Sequence, residues 1–278
     1  MMNSKLNWIN PVMEKEFRLR MRTIRSPIAI LVYLIAIGLF ALGFAYINMS
    51  NQQAGVLSAA RSSELFYFLS GAQLVLIAFM TPGLTAGVVS GEREKQTLNM
   101  LLTTQQSSGT IILSKLFASL SFMLLTVVAT MPLYSIVFLY GGVSPKQVLS
   151  VFVFYVFVML LFGSVGIFFS TILKKTVISV IATYGFVLLV FGFTALAGLF
   201  FGNLGRQGMN EEILGYFLSF NPMAVLASLM VPDFAKELFK GHKLLQMWHI
   251  FVGSYTVLLI ILIWLSVRYL RPIMKRKK

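Results

Sequence analysis

The sequence predicts an all-α membrane protein with six transmembrane helices, and two observations carry that prediction. Hydrophobic residues make up 58% of the 278-residue chain and charged residues 12%, whereas a soluble domain has roughly 45–50% apolar and about 25% charged residues. A hydrocarbon layer about 30 Å thick needs roughly 20 helical residues to cross it. Six uncharged stretches are at least that long, namely 27–47, 65–90, 116–140, 147–173, 176–202 and 244–267. They occupy more than half of the chain, so no water-soluble catalytic domain fits between them.

The basic residues predict how the chain crosses the membrane. Segments 1–26, 91–115, 174–175 and 268–278 together hold 17 Lys and Arg residues, and the alternating segments hold six. Basic residues near span ends mark the cytoplasmic side, so we predict a multi-pass protein of the cell membrane with both termini in the cytoplasm. The net charge of +14 then reflects topology and attraction to anionic membrane lipid rather than nucleic-acid binding.

An amphipathic helix is predicted over residues 6–26, before the first span. Phe17 belongs to an apolar stripe that repeats every three or four residues, and Arg18 and Arg22 lie on the opposite, basic side. This pattern is typical of a helix lying in the membrane interface. It fits a membrane anchor alone, and it fits equally a docking surface for a cytoplasmic partner.

Proline and small residues occur within several of the predicted spans. A kink or local break is expected at Thr81-Pro82-Gly83 in the second span and at Pro132 in the third, which we place at 111–140. Small residues at Gly163, Ser164 and Gly166, and at Gly192, Ala195 and Gly198, allow close helix contacts, either between two subunits or within one.

The segment 203–243 is predicted to lie outside the cell without crossing the membrane. Its portion 213–231 is uncharged and long enough for a seventh span, but Asn221-Pro222 lies in the middle. Proline lacks the N–H that a continuous helix needs, and a seventh crossing would move the basic C-terminus outside. We therefore expect two short helices hinged at Asn221 and Pro222, either re-entrant or lying on the surface.

The sequence offers no chemistry for catalysis within this chain. It has no cysteine, and no Asp, Glu, Lys or Arg falls inside the six uncharged stretches, which weighs against a proton-coupled carrier. His242 and His249, with Asp233 and Glu237, are irregularly spaced and are interpreted as solvated residues rather than a metal site. There is no phosphate-binding G-x-x-x-x-G-K-[ST] loop. We predict no catalytic residue, metal or cofactor here, so any ATP is bound by another chain.

The segment after the second span has a distinctive charged motif. Four consecutive charges, from Glu92 to Lys95, precede Leu98, Leu101 and Leu102, which share one helical face. Such a segment has a polar end for water and a small apolar face that must be buried, against headgroups or against another protein.

This motif resembles one in the permease subunits of ATP-binding cassette transporters of the type-2 exporter class. Those permeases carry an E-R-E-x-x-T-L-x-x-L-L-like stretch after the second span, in the coupling region that docks onto the ATPase. The resemblance assigns ATPase coupling to Glu92, Arg93, Glu94, Thr97, Leu98, Leu101 and Leu102. It also places Lys115 at the start of the third span and matches 6–26 to the family's N-terminal connecting helix. The sequence departs from the family pattern at Gln105, where proline is usual, and at Ser114, which replaces glycine.

The resemblance implies an ATP-driven exporter. The chain is expected to pair with itself or with a paralogous permease and to form the translocation path, while separate ATP-binding subunits, which hold ATP and Mg²⁺, dock on residues 91–110. Two alternatives stay open: a non-transport sensor or scaffold subunit of such a complex, and a stand-alone channel or carrier.

Overall fold

The computed structural model describes residues 25–50, 59–98, 106–139, 141–205, 211–231, 233–234 and 246–270. The predicted interface helix, with Phe17, Arg18 and Arg22, lies outside these residues, as do Leu101 and Leu102 of the motif. Within the described ranges all regular secondary structure is helical.

Eleven α-helices and one π-helical segment are described. They are α1 (Arg25–Ser50), α2 (Ala59–Thr85), α3 (Ser90–Glu94), α4 (Ser108–Val128), α5 (Met131–Leu139), α6 (Pro145–Ile172), α7 (Thr176–Leu188), the π segment (Leu189–Phe193), α8 (Thr194–Gly205), α9 (Glu211–Leu218), α10 (Pro222–Met230) and α11 (Met247–Leu270).

The prediction of six transmembrane helices is confirmed. Helical runs long and apolar enough to cross a membrane are Ser26–Ile47, Ser62–Glu94, Ser108–Ser135, Pro145–Ile172, Thr176–Phe200 and Met247–Leu270, here called spans one to six. Their mean hydropathy ranges from 1.8 to 2.7. The chain is therefore a multi-pass membrane protein.

Spans two and three are each interrupted near the predicted proline, but in neither span is the proline itself the point of interruption. In span two, α2 continues through Pro82 to Thr85, and the helix is interrupted by a turn at residues 86–89. In span three, the interruption is a turn at Ala129 and Thr130, just before Pro132, which lies in the first turn of α5. This position suits proline because the N–H groups of a first turn have no partner within the helix.

Span four is the centre of the bundle. Its helix α6 packs against α2, α4, α7, α10 and α11, and more than half of its residues are buried. Span one, in contrast, packs mainly on α2, and large apolar side chains such as Leu31, Leu39 and Leu42 are exposed along it. In a bilayer these exposed side chains face hydrocarbon, so their exposure costs nothing.

The small residues of α6 serve contacts within the chain. A Cβ placed on Gly163 would lie 2.9 Å from Leu120 Cδ2 of α4, and one on Gly166 would lie 2.0 Å from Thr85 Oγ1 of α2. Gly198 similarly faces Leu218 of α9, at 2.7 Å from its Cδ2. At these three positions the absent side chain lets neighbouring helices approach each other.

Substituting Gly166 by alanine is expected to destabilise the protein strongly. The added methyl group would overlap Thr85 Oγ1 and would also lie 2.9 Å from Thr85 Cβ and 3.2 Å from the Ala86 nitrogen. Rotating the threonine side chain therefore does not relieve the overlap, and overpacking of this kind costs about 1–3 kcal/mol. The midpoint of thermal unfolding of the purified protein measures the effect. Gly185→Ala is the matched control, because nothing lies within 4 Å of its added methyl group.

A buried polar cluster joins spans two, three and four. Gln73 donates from Nε2 to Thr130 Oγ1 at 3.0 Å and accepts from the Tyr134 hydroxyl, while the Tyr155 hydroxyl donates to the Ser70 carbonyl at 2.8 Å. All five residues are buried. Because these groups are uncharged, burying them in an apolar bundle avoids the larger desolvation cost of ions.

Candidate functional site

The candidate site begins where α2 is interrupted at residues 86–89. The Ser170 hydroxyl of α6 accepts hydrogen bonds from the backbone N–H groups of Val89 and Ser90 at 2.9 and 3.0 Å. The Ser179 hydroxyl of α7 donates to the Ala86 carbonyl at 2.7 Å. Buried backbone groups need such partners wherever a helix is interrupted. Serines from spans four and five thus stabilise the turn that leads into the charged motif.

Glu92 pairs with span three. Its Oε1 lies 2.6 Å from Lys115 Nζ, and the two side chains are 27% and 1% exposed. Lys115 lies in the second turn of α4, deep enough that its ammonium group is almost completely removed from solvent. A charge so deeply buried needs an ionic partner, and Glu92 supplies one.

Arg93 bonds to the end of span four. Its guanidinium Nη2 donates to the Thr171 carbonyl at 2.9 Å. Thr171 lies in the last turn of α6, where helix carbonyls have no intrahelical partner and the helix dipole favours a positive charge. The arginine therefore acts as a cap for the end of α6.

Glu94 bonds to the start of span five. One carboxylate oxygen accepts from the Thr176 backbone N–H and the other from the Thr176 hydroxyl, both at 2.8 Å. Thr176 is the first residue of α7, whose own N-cap residue, Lys175, makes no side-chain capping bond. A carboxylate is favoured at a helix N-terminus, so Glu94 caps α7 from another part of the chain.

The chain reverses direction just after the charged run. Gln96 has a φ of +58°, and the Thr97 N–H and hydroxyl both donate to the Glu92 carbonyl, at 2.9 and 3.2 Å. Leu98 is then 5% exposed and belongs to the hydrophobic core. After the undescribed residues 99–105, Ser107 caps α4 by accepting from the Thr110 N–H at 3.1 Å.

These contacts change the interpretation of the motif. The sequence suggested a charged end facing water, whereas the side chains of Glu92, Arg93 and Glu94 bond respectively to spans three, four and five of the same chain. Leu98 is buried in the hydrophobic core of the chain, and its contact with a partner stays a prediction. Leu101 and Leu102, the other two apolar residues of the motif, lie outside the described residues.

Sequence reasoning missed the partners of the motif. Ser170, Thr171, Thr176 and Ser179 lie some 80 residues further along the chain, in spans that were described only as apolar. The adjacent turn carries two exposed basic residues, Lys174 and Lys175. In the sequence, these residues indicated only the topology. A signal was present in the Ser and Thr residues at the ends of these spans, but no local pattern pairs them with residues 89–94.

The hinge predicted at Asn221 and Pro222 lies at the opposite end of the bundle. Helix α9 ends at Leu218 and α10 begins at Pro222, with Asn221 as its N-cap. At eight and nine residues, each helix is about 12–14 Å long and cannot cross the hydrocarbon layer. Asn221 and Pro222 are buried, so the elbow is inserted among the spans. Its position outside the cell stays a prediction.

The fold and the motif together define a class: a six-span helical membrane protein in which the charged end of span two is bonded to three other spans. Comparison with protein-family models identifies the family. Residues 10–272 match the ABC-2 family transporter protein family, so the chain belongs to this family and is a permease component of an ATP-binding cassette transporter. No curated protein matches the sequence significantly.

Proposed function

We propose that this chain is the membrane-spanning subunit of an ATP-driven exporter, that two permease subunits form the translocation path, and that separate ATP-binding subunits dock on residues 91–110. ATP and Mg²⁺ belong to those subunits. The observation that carries the proposal is the bonding of residues 89–94, at the end of span two, to spans three, four and five. A push on this segment is therefore delivered to these three spans as well as to span two, which is what coupling requires.

The geometry favours transmission by rigid contacts. The ion pair between Glu92 and Lys115, the Arg93 bond to Thr171 and the Glu94 bonds to Thr176 each join the segment to a different span. Helices held this way cannot slide past the segment without breaking a charge-assisted bond, which is stronger than a neutral hydrogen bond. The segment and the adjacent ends of spans three, four and five therefore move together.

The orientation of the chain is part of this proposal. Both termini and residues 91–110 are expected in the cytoplasm of a cell-membrane protein, since the ATPase and its nucleotide are there. The absence of cysteine makes the test direct: single cysteines replace Ser4, Asn203 or Lys277. Only Asn203→Cys should react with a membrane-impermeant thiol reagent in intact cells. Labelling of Ser4→Cys or Lys277→Cys would contradict the orientation.

The function is tested by assembly and transport. The chain is co-expressed with a candidate ATP-binding subunit, purified through a tag on the permease, and reconstituted in lipid vesicles. We expect a stable complex that hydrolyses ATP and moves a cargo across the vesicle membrane. Failure of any ATP-binding subunit to co-purify would contradict the proposal, whereas hydrolysis without movement of any cargo would favour the sensor alternative.

A further inference from the structure

The π segment of span five lies at the depth of the elbow between α9 and α10. Leu189–Phe193 begins after α7 and is followed by α8; it lies about 20 Å along the span from Thr176. A π turn replaces the regular i to i−4 hydrogen bonds, and any backbone carbonyl that it leaves exposed in hydrocarbon is costly. Two carbonyls of the π segment, those of Val190 and Phe191, accept hydrogen bonds from the Thr194 hydroxyl.

Asn221 of the elbow reaches into this turn. Its Nδ2 donates to the Phe191 carbonyl at 3.1 Å and to Thr194 Oγ1 at 2.9 Å. Asn221 is 4% exposed and Thr194 9%, so these bonds are shielded from water. A neighbouring contact strengthens the junction, because Gly198 of α8 lies directly against Leu218 at the end of α9.

The same side chain also starts α10. Asn221 Oδ1 accepts from the N–H groups of Met223 and Ala224, at 2.8 and 3.4 Å. An asparagine amide has two N–H donors and one acceptor oxygen, and all are used here on two different elements. Serine or aspartate would cap α10 equally well, but neither presents an NH₂ group. Capping alone therefore does not explain why the residue is asparagine.

We propose that Asn221 is a positioning residue that fastens the α9–α10 hairpin to the π segment, so that the hairpin and this part of span five move as one body. The inference goes beyond the proposed function and stands on the fold alone. If the proposed function also holds, span five connects the two ends of the protein, because Glu94 bonds to its first residue and Asn221 to its π segment.

Hydrogen exchange of the full-length protein in lipid nanodiscs tests this inference. Asn221→Ser keeps a cap for α10 and removes the amide donors. We expect exchange of the amides of residues 190–198 to become about 3- to 100-fold faster, the range for loss of one or two buried hydrogen bonds. Exchange of residues 223–227 should stay within twofold of wild type. Asn221→Ala, which loses both roles, should speed exchange in both regions.

Thr194 provides the reciprocal test from the other side of the contact. Thr194→Val removes the hydroxyl and should speed exchange at 190–198 while leaving α10 unchanged; Thr194→Ser keeps the hydroxyl and should restore wild-type exchange. Because Asn221 and Thr194 share one interaction, the double variant should exchange more slowly than the product of the single effects predicts. Unchanged exchange at 190–198 in Asn221→Ser, or fully multiplicative effects in the double variant, would overturn the inference.

Discussion

Replacing Glu92 by glutamine is expected to lower the unfolding free energy by about 3 kcal/mol, because it removes the negative charge that lies against the buried Lys115 ammonium. Lys115 is 1% exposed and its ammonium lies 2.6 Å from the Glu92 carboxylate. Glutamine keeps the shape of the side chain but removes the negative charge. For a domain of this size the loss corresponds to a fall of roughly 6–12 °C in the midpoint of thermal unfolding, measured on the purified protein.

Two variants separate the ion pair from general effects of the substitution. The double variant Glu92→Gln with Lys115→Met removes both charges, and it should recover most of the lost stability, because an apolar replacement of a buried pair is often nearly neutral. Glu64→Gln removes an exposed carboxylate and should leave the midpoint unchanged. Equal midpoints for Glu92→Gln and Glu64→Gln would contradict the role assigned to the pair.

Replacing Leu101 by aspartate is expected to abolish co-purification of the ATP-binding subunit. Glu92, Arg93 and Glu94 bond to other spans of the chain, so we propose that the apolar side chains of Leu101 and Leu102 make the contact with the partner. A carboxylate at residue 101 would be desolvated by the contact, at a cost of several kcal/mol. Loss of about 3 kcal/mol weakens binding more than 100-fold, which is enough to lose the partner during purification.

Asn99→Asp is the matched control for this substitution. It adds the same charge two residues away, at a helical spacing that places it off the face shared by Leu98, Leu101 and Leu102. The control should retain the ATP-binding subunit, and both variants should reach the membrane in wild-type amounts. A correctly inserted Leu101→Asp protein that keeps its partner in full would show that this face does not bind the ATPase.

The six spans could be predicted because hydropathy is a local property. A predominantly apolar helix of about 20 residues can cross a bilayer whatever its neighbours are, so the spans around 147–173 and 244–267 could be predicted without knowledge of their packing. The break before Pro222 was also predictable, since an N-capping asparagine followed by proline is a helix start in any context.

The contacts of the charged motif could not be predicted from local patterns. Glu92 and Lys115 are 23 residues apart, and Glu94 and Thr176 are 82 apart. Charges in a short loop between spans are solvated by default; only the tertiary fold shows that these charges are directed back onto the ends of other spans. The same limit applies to Gly163 and Gly166. The sequence allowed these glycines to pack either between two subunits or within one, and the structure places them against Leu120 and Thr85 of the same chain.

Cross-linking from residue 101 tests the central claim most directly, namely that ATP-binding subunits dock on the segment after the charged motif. Leu101→Cys gives a chain with a single thiol, since the natural sequence has no cysteine. After assembly with the co-expressed ATP-binding subunit, a short thiol-reactive photo-cross-linker is attached and activated. The account predicts an adduct with the combined mass of permease and ATP-binding subunit. Adducts with lipid alone, from a complex in which the ATP-binding subunit is still bound, would contradict it.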